Sequence, residues 1–198
     1  MRAFTPILTA RQMRRCDAYT IRETGVPSHI LMERAAAALV RCIDSRPALF
    51  PAGQVLILCG GGNNGGDGFA AARRLATGQD CTARPVAVLY LGQPGVDGTP
   101  DPTRMSGECA RQYALATAAG VPVCTPEALD RLLPVSTAVL DAVFGIGLDR
   151  AAEGAAAAVF RAVNAAGLPV LAADIPSGVM ADTGAVPGDA IRAAVTVT

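Results

Sequence analysis

Three carboxylates in this 198-residue sequence stand where acid–base or ligand chemistry could be done. Asp67 lies in a glycine-rich stretch, Gly60 to Gly68 (GGGNNGGDG), Asp141 sits where the apolar run from Thr137 ends, and Asp174 follows another apolar run, Val170 to Ala173. The amides of Asn63 and Asn64 and the hydroxyl of Ser177 accompany them. All 17 basic residues are arginine and His29 is the single histidine. Without lysine the chain cannot supply a P-loop lysine, a Schiff-base lysine or a pyridoxal-phosphate anchor. One histidine leaves almost nothing for a Ser-His-Asp triad or a multi-histidine metal centre. Acid–base chemistry then rests on carboxylates, Tyr, Cys, water and backbone.

Each of these residues also has a purely structural reading. Asp67 suits the positive end of a helix, a placement worth about 0.3–1 kcal/mol. Asp141 is costly to bury unpaired, by several kcal/mol, and needs a cation or hydrogen-bond donors; Arg150 is a nearby cation. Asp174 meets the same problem at the next strand end, with Ser177 able to share a site. Gly60, Gly62 and Gly65 satisfy G-x-G-x-x-G, which serves close backbone approach to a phosphate or simply positive φ and tight packing. Asn63 and Asn64 suit left-handed turn positions. His29 reads as a packing or capping residue.

The elements that must position these groups alternate in type. Gln54 to Cys59 reads as a strand buried on both faces, and Phe69 to Ala76 as a helix stopped at Gly78. Before them, Thr9 to Gln12 forms a capping box opening a helix that ends near Gly25. A second helix starts at Pro27-Ser28 with Leu31, Ala35, Leu39 and Cys42 along one face. After them come a strand from Val86 to Leu91, an exposed loop from Gly92 to Pro102, and a helix from Thr103 to Ala119. A short strand, Val121 to Cys124, precedes a brief helix with Pro126 at its first position. Strands Thr137 to Val143 and Val170 to Ala173 flank a helix from Ala151 to Ala166, and Ala190 to Thr198 starts a sixth strand. The expected fold is α/β: a three-layer, Rossmann-like, doubly wound and mostly parallel sheet behind two N-terminal helices. With strand order 3-2-1-4-5, the polar turns after Cys59, Leu140 and Ala173 fall at neighbouring carboxyl ends and converge on one crevice.

Composition narrows the class. Hydrophobic residues make up 51%, much of it alanine, and the formal net charge is zero, so neither nucleic acid nor an anionic membrane is expected as partner. No run approaches the roughly 18–20 apolar residues of a membrane span, and the N-terminus lacks a leader's apolar region. The six cysteines are scattered without a C-x-x-C pair, the pattern of reduced thiols in a cytoplasmic protein.

Taken together, GGGNNGGDG at Gly60–Gly68, DAVFGIGL at Asp141–Leu148 and DIPSG at Asp174–Gly178, followed by Asp182-Thr183-Gly184, resemble the NAD(P)H-hydrate epimerase family, the YjeF N-terminal domain. Gly25 to Ser28 with Leu31-Met32-Glu33 fits as well, and the resemblance runs from about Thr9 onward. It implies epimerisation at C6 of the hydrated nicotinamide ring, interconverting R and S forms of NADHX or NADPHX. It further implies that Asn63, Asn64, Gly65, Gly66 and Asp67, with Gly145, Ile146, Gly147, Leu148, Asp149, Arg150 and Ala151, line the substrate. Potassium would be held by Asn64, Asp141 and Ser177, and Asp174 would contact the ring as the catalytic residue. A homodimer and a dehydratase, fused or separate, are the implied partners. An amide oxygen, one carboxylate and a hydroxyl make a hard, singly charged site that suits a monovalent cation better than calcium or zinc.

The sequence departs from the family pattern at Gly61, where proline is usual, and at His29, where an apolar residue is usual. The family's domain continues past the Thr-Val-Thr strand, so residues 1–198 read as a single domain cut short of its last strands. Two rivals remain. A nicotinamide dehydrogenase needs an acid about 20 residues beyond the glycine fingerprint, and Tyr90-Leu91-Gly92 supplies none. A non-catalytic nucleotide-binding or scaffold module of the same fold would need only the glycines and the core.

Overall fold

The computed structural model describes residues 8–198. The expectation that no leader opens the chain concerns, in part, residues 1–7, which lie outside the described ones. Six parallel strands form one sheet in the order β3-β2-β1-β4-β5-β6. They are β1 (Gln54–Cys59), β2 (Val86–Tyr90), β3 (Val123–Cys124), β4 (Ser136–Ala142), β5 (Val170–Ala173) and β6 (Val195–Val197). The helices are α1 (Ala10–Arg22), α2 (Ser28–Asp44), α3 (Asn63–Thr77), α4 (Gly107–Ala118), α5 (Leu129–Leu132) and α6 (Gly154–Ala166). The α/β architecture and the order of the first five strands are as expected.

Strand pleating separates two cores. Val55, Ile57 and Cys59 of β1 pack with α2, α3 and α4 on one face, while Leu56 and Leu58 pack with α5 and α6 on the other. Glu33 of α2 ties the first layer together by pairing with Arg73 (2.6 Å) and Arg74 (2.5 Å) of α3, and it accepts from Gln112 of α4 (3.1 Å). Burial raises the Glu33 pKa, but hydrogen bonds from Arg74 and Gln112 and the Arg73 charge outweigh it and hold the carboxyl below its ordinary value.

Several boundaries differ from the sequence reading. α3 begins at Asn63 rather than Phe69, so the asparagines and the later glycines are its first turns and not a loop. Each glycine costs a helix about 1 kcal/mol relative to alanine, and packing here overrides that cost. A Cβ on Gly68 would lie 2.7 Å from both the Ala142 Cβ and the Cys59 Sγ, and one on Gly65 would overlap the Gly60 carbonyl. No residue from Gly60 to Gly68 has positive φ, so close approach, not conformational freedom, requires these glycines. α4 starts at Gly107, capped by the Ser106 hydroxyl, and α6 at Gly154. The buried residues of α2 are Met32, Ala36, Ala37, Leu39, Val40, Cys42 and Ile43: Leu39 and Cys42 face inward as expected, Leu31 is half-buried, and Ala35 is exposed where Ala36 takes its place.

α1 is attached differently. Its capping box forms as expected, Thr9 and Gln12 exchanging bonds of 2.8 and 3.3 Å, yet Ala10 alone is buried along its 13 residues. Among the described residues no helix is long and apolar enough to cross a membrane.

Candidate functional site

The turns after β1, β4 and β5 meet at the carboxyl edge of the sheet, where the strand order reverses direction between β1 and β4. The Gly60 N–H donates to the Ala142 carbonyl (3.2 Å), which joins the first two turns. The Phe144 N–H donates to the Ser177 hydroxyl (2.8 Å) and the Ile146 N–H to Asp174 Oδ2 (2.7 Å), which join the second to the third. Gly145 lies at the centre: a Cβ there would overlap the Asp174 carboxylate and come within 3.4 Å of the Asn64 amide carbon. Asn64, Gly145, Ile146 and Asp174 are therefore one cluster.

Asp141 is fully buried in β4, and hydrogen-bond donors reach its carboxylate. Its carboxylate accepts from the Ser177 N–H (2.8 Å), the Ser177 hydroxyl (2.6 Å) and the Val143 N–H (3.3 Å). Burial still raises its pKa from 3.8 to about 6 against these three bonds. Arg150, the nearby cation considered above, is exposed and not among its partners.

Asp174 takes φ +65°, a left-handed conformation that Asp tolerates better than most residues. Its N–H is held by the Val197 carbonyl of β6 (2.8 Å), so the chain turns sharply at the end of β5 and the carboxylate reaches the Ile146 amide. Burial raises its pKa, the Ile146 bond opposes this, and the Asp17 charge adds to the rise. Asp67, on the second turn of α3, is pushed up to about 7 by burial first and then by the Asp174 and Asp17 charges.

The Asp67 shift has a consequence for stability. A carboxyl whose folded pKa lies above its unfolded value binds its proton more tightly when folded. Its favourable contribution is present at low pH and is lost as pH rises from about 4 through about 7. Asp67→Asn is therefore expected to be more stable than the parent at pH 8, on the order of 1–2 kcal/mol after discounting for partial exposure, and level with it near pH 4. Urea midpoints at the two pH values test this; an equal or lower midpoint for the variant at pH 8 sinks it.

The buried side-chain amide of Asn64 has neither its oxygen nor its nitrogen hydrogen-bonded to protein, a costly condition that water or a ligand would relieve. Asn63, by contrast, is exposed and its Oδ1 accepts from the Ser106 hydroxyl (2.7 Å). The amides of Asn63, Asn64 and Gly65 precede the first intrahelical bond of α3, from Gly66 N–H to the Gly62 carbonyl (3.1 Å). Helix geometry leaves them pointing out of the N-terminus, where an anion is favoured. Gly66 is buried against α2 and α4, with a Cβ there 2.7 Å from Met32 Cε, and Gly68 is buried against the sheet. Leu148 folds back on Gly145 through an N–H bond of 3.2 Å, Gly147 and Asp149 are exposed on the rim, and Ala151 packs against Gly188.

Three residues of this crevice carried no signal in the sequence reading. From α1, Arg14 donates to the Ile146 carbonyl (3.1 Å) and Asp17 acts on both Asp67 and Asp174. Ser106 lies against Asn63 and also donates its N–H to the Gly61 carbonyl (2.8 Å). The Ser106 and Arg14 side-chain bonds span 43 and 132 residues, and only the assembled sheet makes them visible.

Comparison with known proteins places this arrangement. The family described as YjeF-related protein N-terminus matches residues 28–198. A Limosilactobacillus fermentum protein named NAD(P)H-hydrate epimerase is 42% identical over 96% of this chain and 84% of its own length. A Weissella koreensis protein of the same name is 39% identical over 98% of this chain and 80% of its own. Among solved structures, that of yeast ynu0 superposes with a TM-score of 0.77 at 20% identity, covering 97% of this chain and 79% of that one, a likeness of fold. With the matching family spanning both helix layers and all three crevice turns, the chain belongs to the YjeF-related protein N-terminus family.

Proposed function

We propose that the protein is an NAD(P)H-hydrate epimerase, interconverting the R and S forms of NADHX and NADPHX. The observation that carries this reading is the cluster of Asp174, Ile146, Gly145 and Asn64: a carboxyl of raised pKa oriented by a backbone amide, beside an unpartnered buried amide. The names of the relatives support the reaction class, an isomerase. Substrate pyrophosphate binds at the free amides of the α3 N-terminus, and the ring lies along the Gly145–Ala151 loop beside the Asp174 carboxylate.

Asp174 carries the proton. As the protonated acid it donates to the C6 hydroxyl, which leaves as water while the ring nitrogen supplies the electron pair. Water then adds to C6 from the opposite face and releases its proton to solvent, and the Asp174 carboxylate is reprotonated from solvent. A carboxyl with a raised pKa spends more of its time in the donating form near neutral pH. The Ile146 N–H fixes one carboxylate oxygen, so the other is free for the substrate.

Potassium is part of the proposal. The donor set fits it: an unpartnered Asn64 oxygen, the buried Asp141 carboxylate and the Ser177 hydroxyl. When bound, the ion would offset the negative charge of the phosphates. Potassium is then expected to raise the melting temperature above its value in sodium by about 2–4 °C per kcal/mol of binding, and Asn64→Ala to abolish the difference. Equal melting in both salts would remove potassium from the site.

Within the same reading, residues 1–198 act as one domain and associate as a homodimer. They work with a dehydratase, fused or separate, in the cytoplasm, a setting that suits six free thiols. The deciding experiment supplies the R hydrate alone and follows S-form appearance with a stereospecific dehydratase, in potassium and in sodium. Potassium-dependent conversion supports the reading; no conversion by folded protein that binds the nucleotide overturns it.

A further inference from the structure

We propose that Arg14, on α1, is a positioning residue for Asp174, acting through Ile146; this rests on Asp174 being the proton carrier. Two hydrogen bonds share one residue. Ile146 donates its N–H to Asp174 Oδ2 (2.7 Å) and accepts from Arg14 Nη2 at its carbonyl (3.1 Å). Ile146 is flanked by Gly145 and Gly147, so the segment has little stiffness of its own. Gly145 has to be glycine, because a Cβ would overlap the Asp174 carboxylate; Phe144 anchors the start of the loop on Ser177, and Arg14 is the side chain from another element that holds Ile146 itself.

α1 provides that fixing. Its first residue, Ala10, donates its N–H to Asp182 Oδ1 (2.7 Å), and Arg14 lies one turn further on the same face. The chain of contacts runs from Asp182 through Ala10, Arg14 and Ile146 to Asp174. Little else holds the helix, since Ala10 is its one buried residue. This accounts for a well-capped amphipathic helix that contributes almost nothing to either core: it braces the loop that orients the proton carrier. Arg14 is exposed, so its removal spares the packing.

The test uses the full chain with Arg14→Ala, Arg14→Lys, Asp174→Asn and the Arg14→Ala/Asp174→Asn double variant. Turnover of the R hydrate and amide hydrogen exchange at Ile146 are both measured. Arg14→Ala is expected to lower kcat about tenfold with KM within about twofold, and to speed Ile146 exchange. Arg14→Lys should recover most of the rate, because one N–H donor suffices for the carbonyl. In the Asp174→Asn background Arg14→Ala should cost nothing further. An unchanged Ile146 exchange rate, a rise in KM alone, or the same tenfold loss in the Asp174→Asn background each overturns the proposal. Asp174→Asn at full rate would overturn the proton-carrier reading beneath it, and is told apart because Ile146 exchange would still quicken in Arg14→Ala.

Discussion

Asp174→Asn is expected to reduce epimerase kcat by about 10²–10³ while leaving KM and the melting temperature nearly unchanged. Asparagine accepts the left-handed backbone that Asp174 adopts, and its side-chain oxygen can take the same bond from the Ile146 N–H. The substitution thus keeps shape and turn but removes the exchangeable acid. It also removes a carboxyl that burial disfavours in its charged form, so a lower melting temperature is not expected. Steady-state kinetics with the R hydrate beside a thermal melt checks both halves. A variant that keeps full turnover would take Asp174 out of the chemistry.

Gly65→Ala is expected to be the most damaging single-atom change to the fold. The added Cβ would overlap the Gly60 carbonyl oxygen and stand 3.0 Å from the Gly60 nitrogen. Both are backbone atoms in the turn that also bonds Ala142, so no side chain can swing aside. Overpacking a core costs typically 1–3 kcal/mol, and this position belongs at the upper end or beyond. Against a domain stability of about 5–15 kcal/mol that is a large share, or roughly 6–12 °C in melting temperature. Gly62→Ala is the control, since nothing lies within 4 Å of its Cβ, and it is expected to cost about 0.5 kcal/mol as a poorer N-cap. Calorimetry of the pair decides the matter: two similar melting points would mean the Gly60–Gly65 approach is not a constraint.

The sheet was readable because parallel strands buried on both faces are short apolar runs, and Gln54–Cys59 and Val170–Ala173 match their observed bounds. The convergence of Asp67, Asp141 and Asp174 followed from strand order alone. Helix starts were less readable, because glycine signals a turn unless tertiary packing demands it, as at Gly65 and Gly68. On α2, Leu39 and Cys42 face the core as their spacing predicts, but Ala35 does not, since alanine marks a close approach without its direction. Asp141 was correctly seen to need donors or a cation, yet that Ser177 would give it two bonds depended on a fold-back 36 residues long. The share of α1 in the crevice was out of reach, because an exposed arginine has no periodicity to betray a partner 132 residues away.

If the α3 N-terminus takes the phosphates as proposed, evolution has little to vary at Gly65, Gly66 and Gly68, where an added Cβ meets backbone or packed side chains. Changes in substrate preference must then arise on the opposite rim, at exposed Asp149 and Arg150, or on the loosely seated α1. A directed-evolution library aimed at nucleotide selectivity would be better spent on those two segments than on Gly65, Gly66 and Gly68, where most members would be lost as unfolded protein.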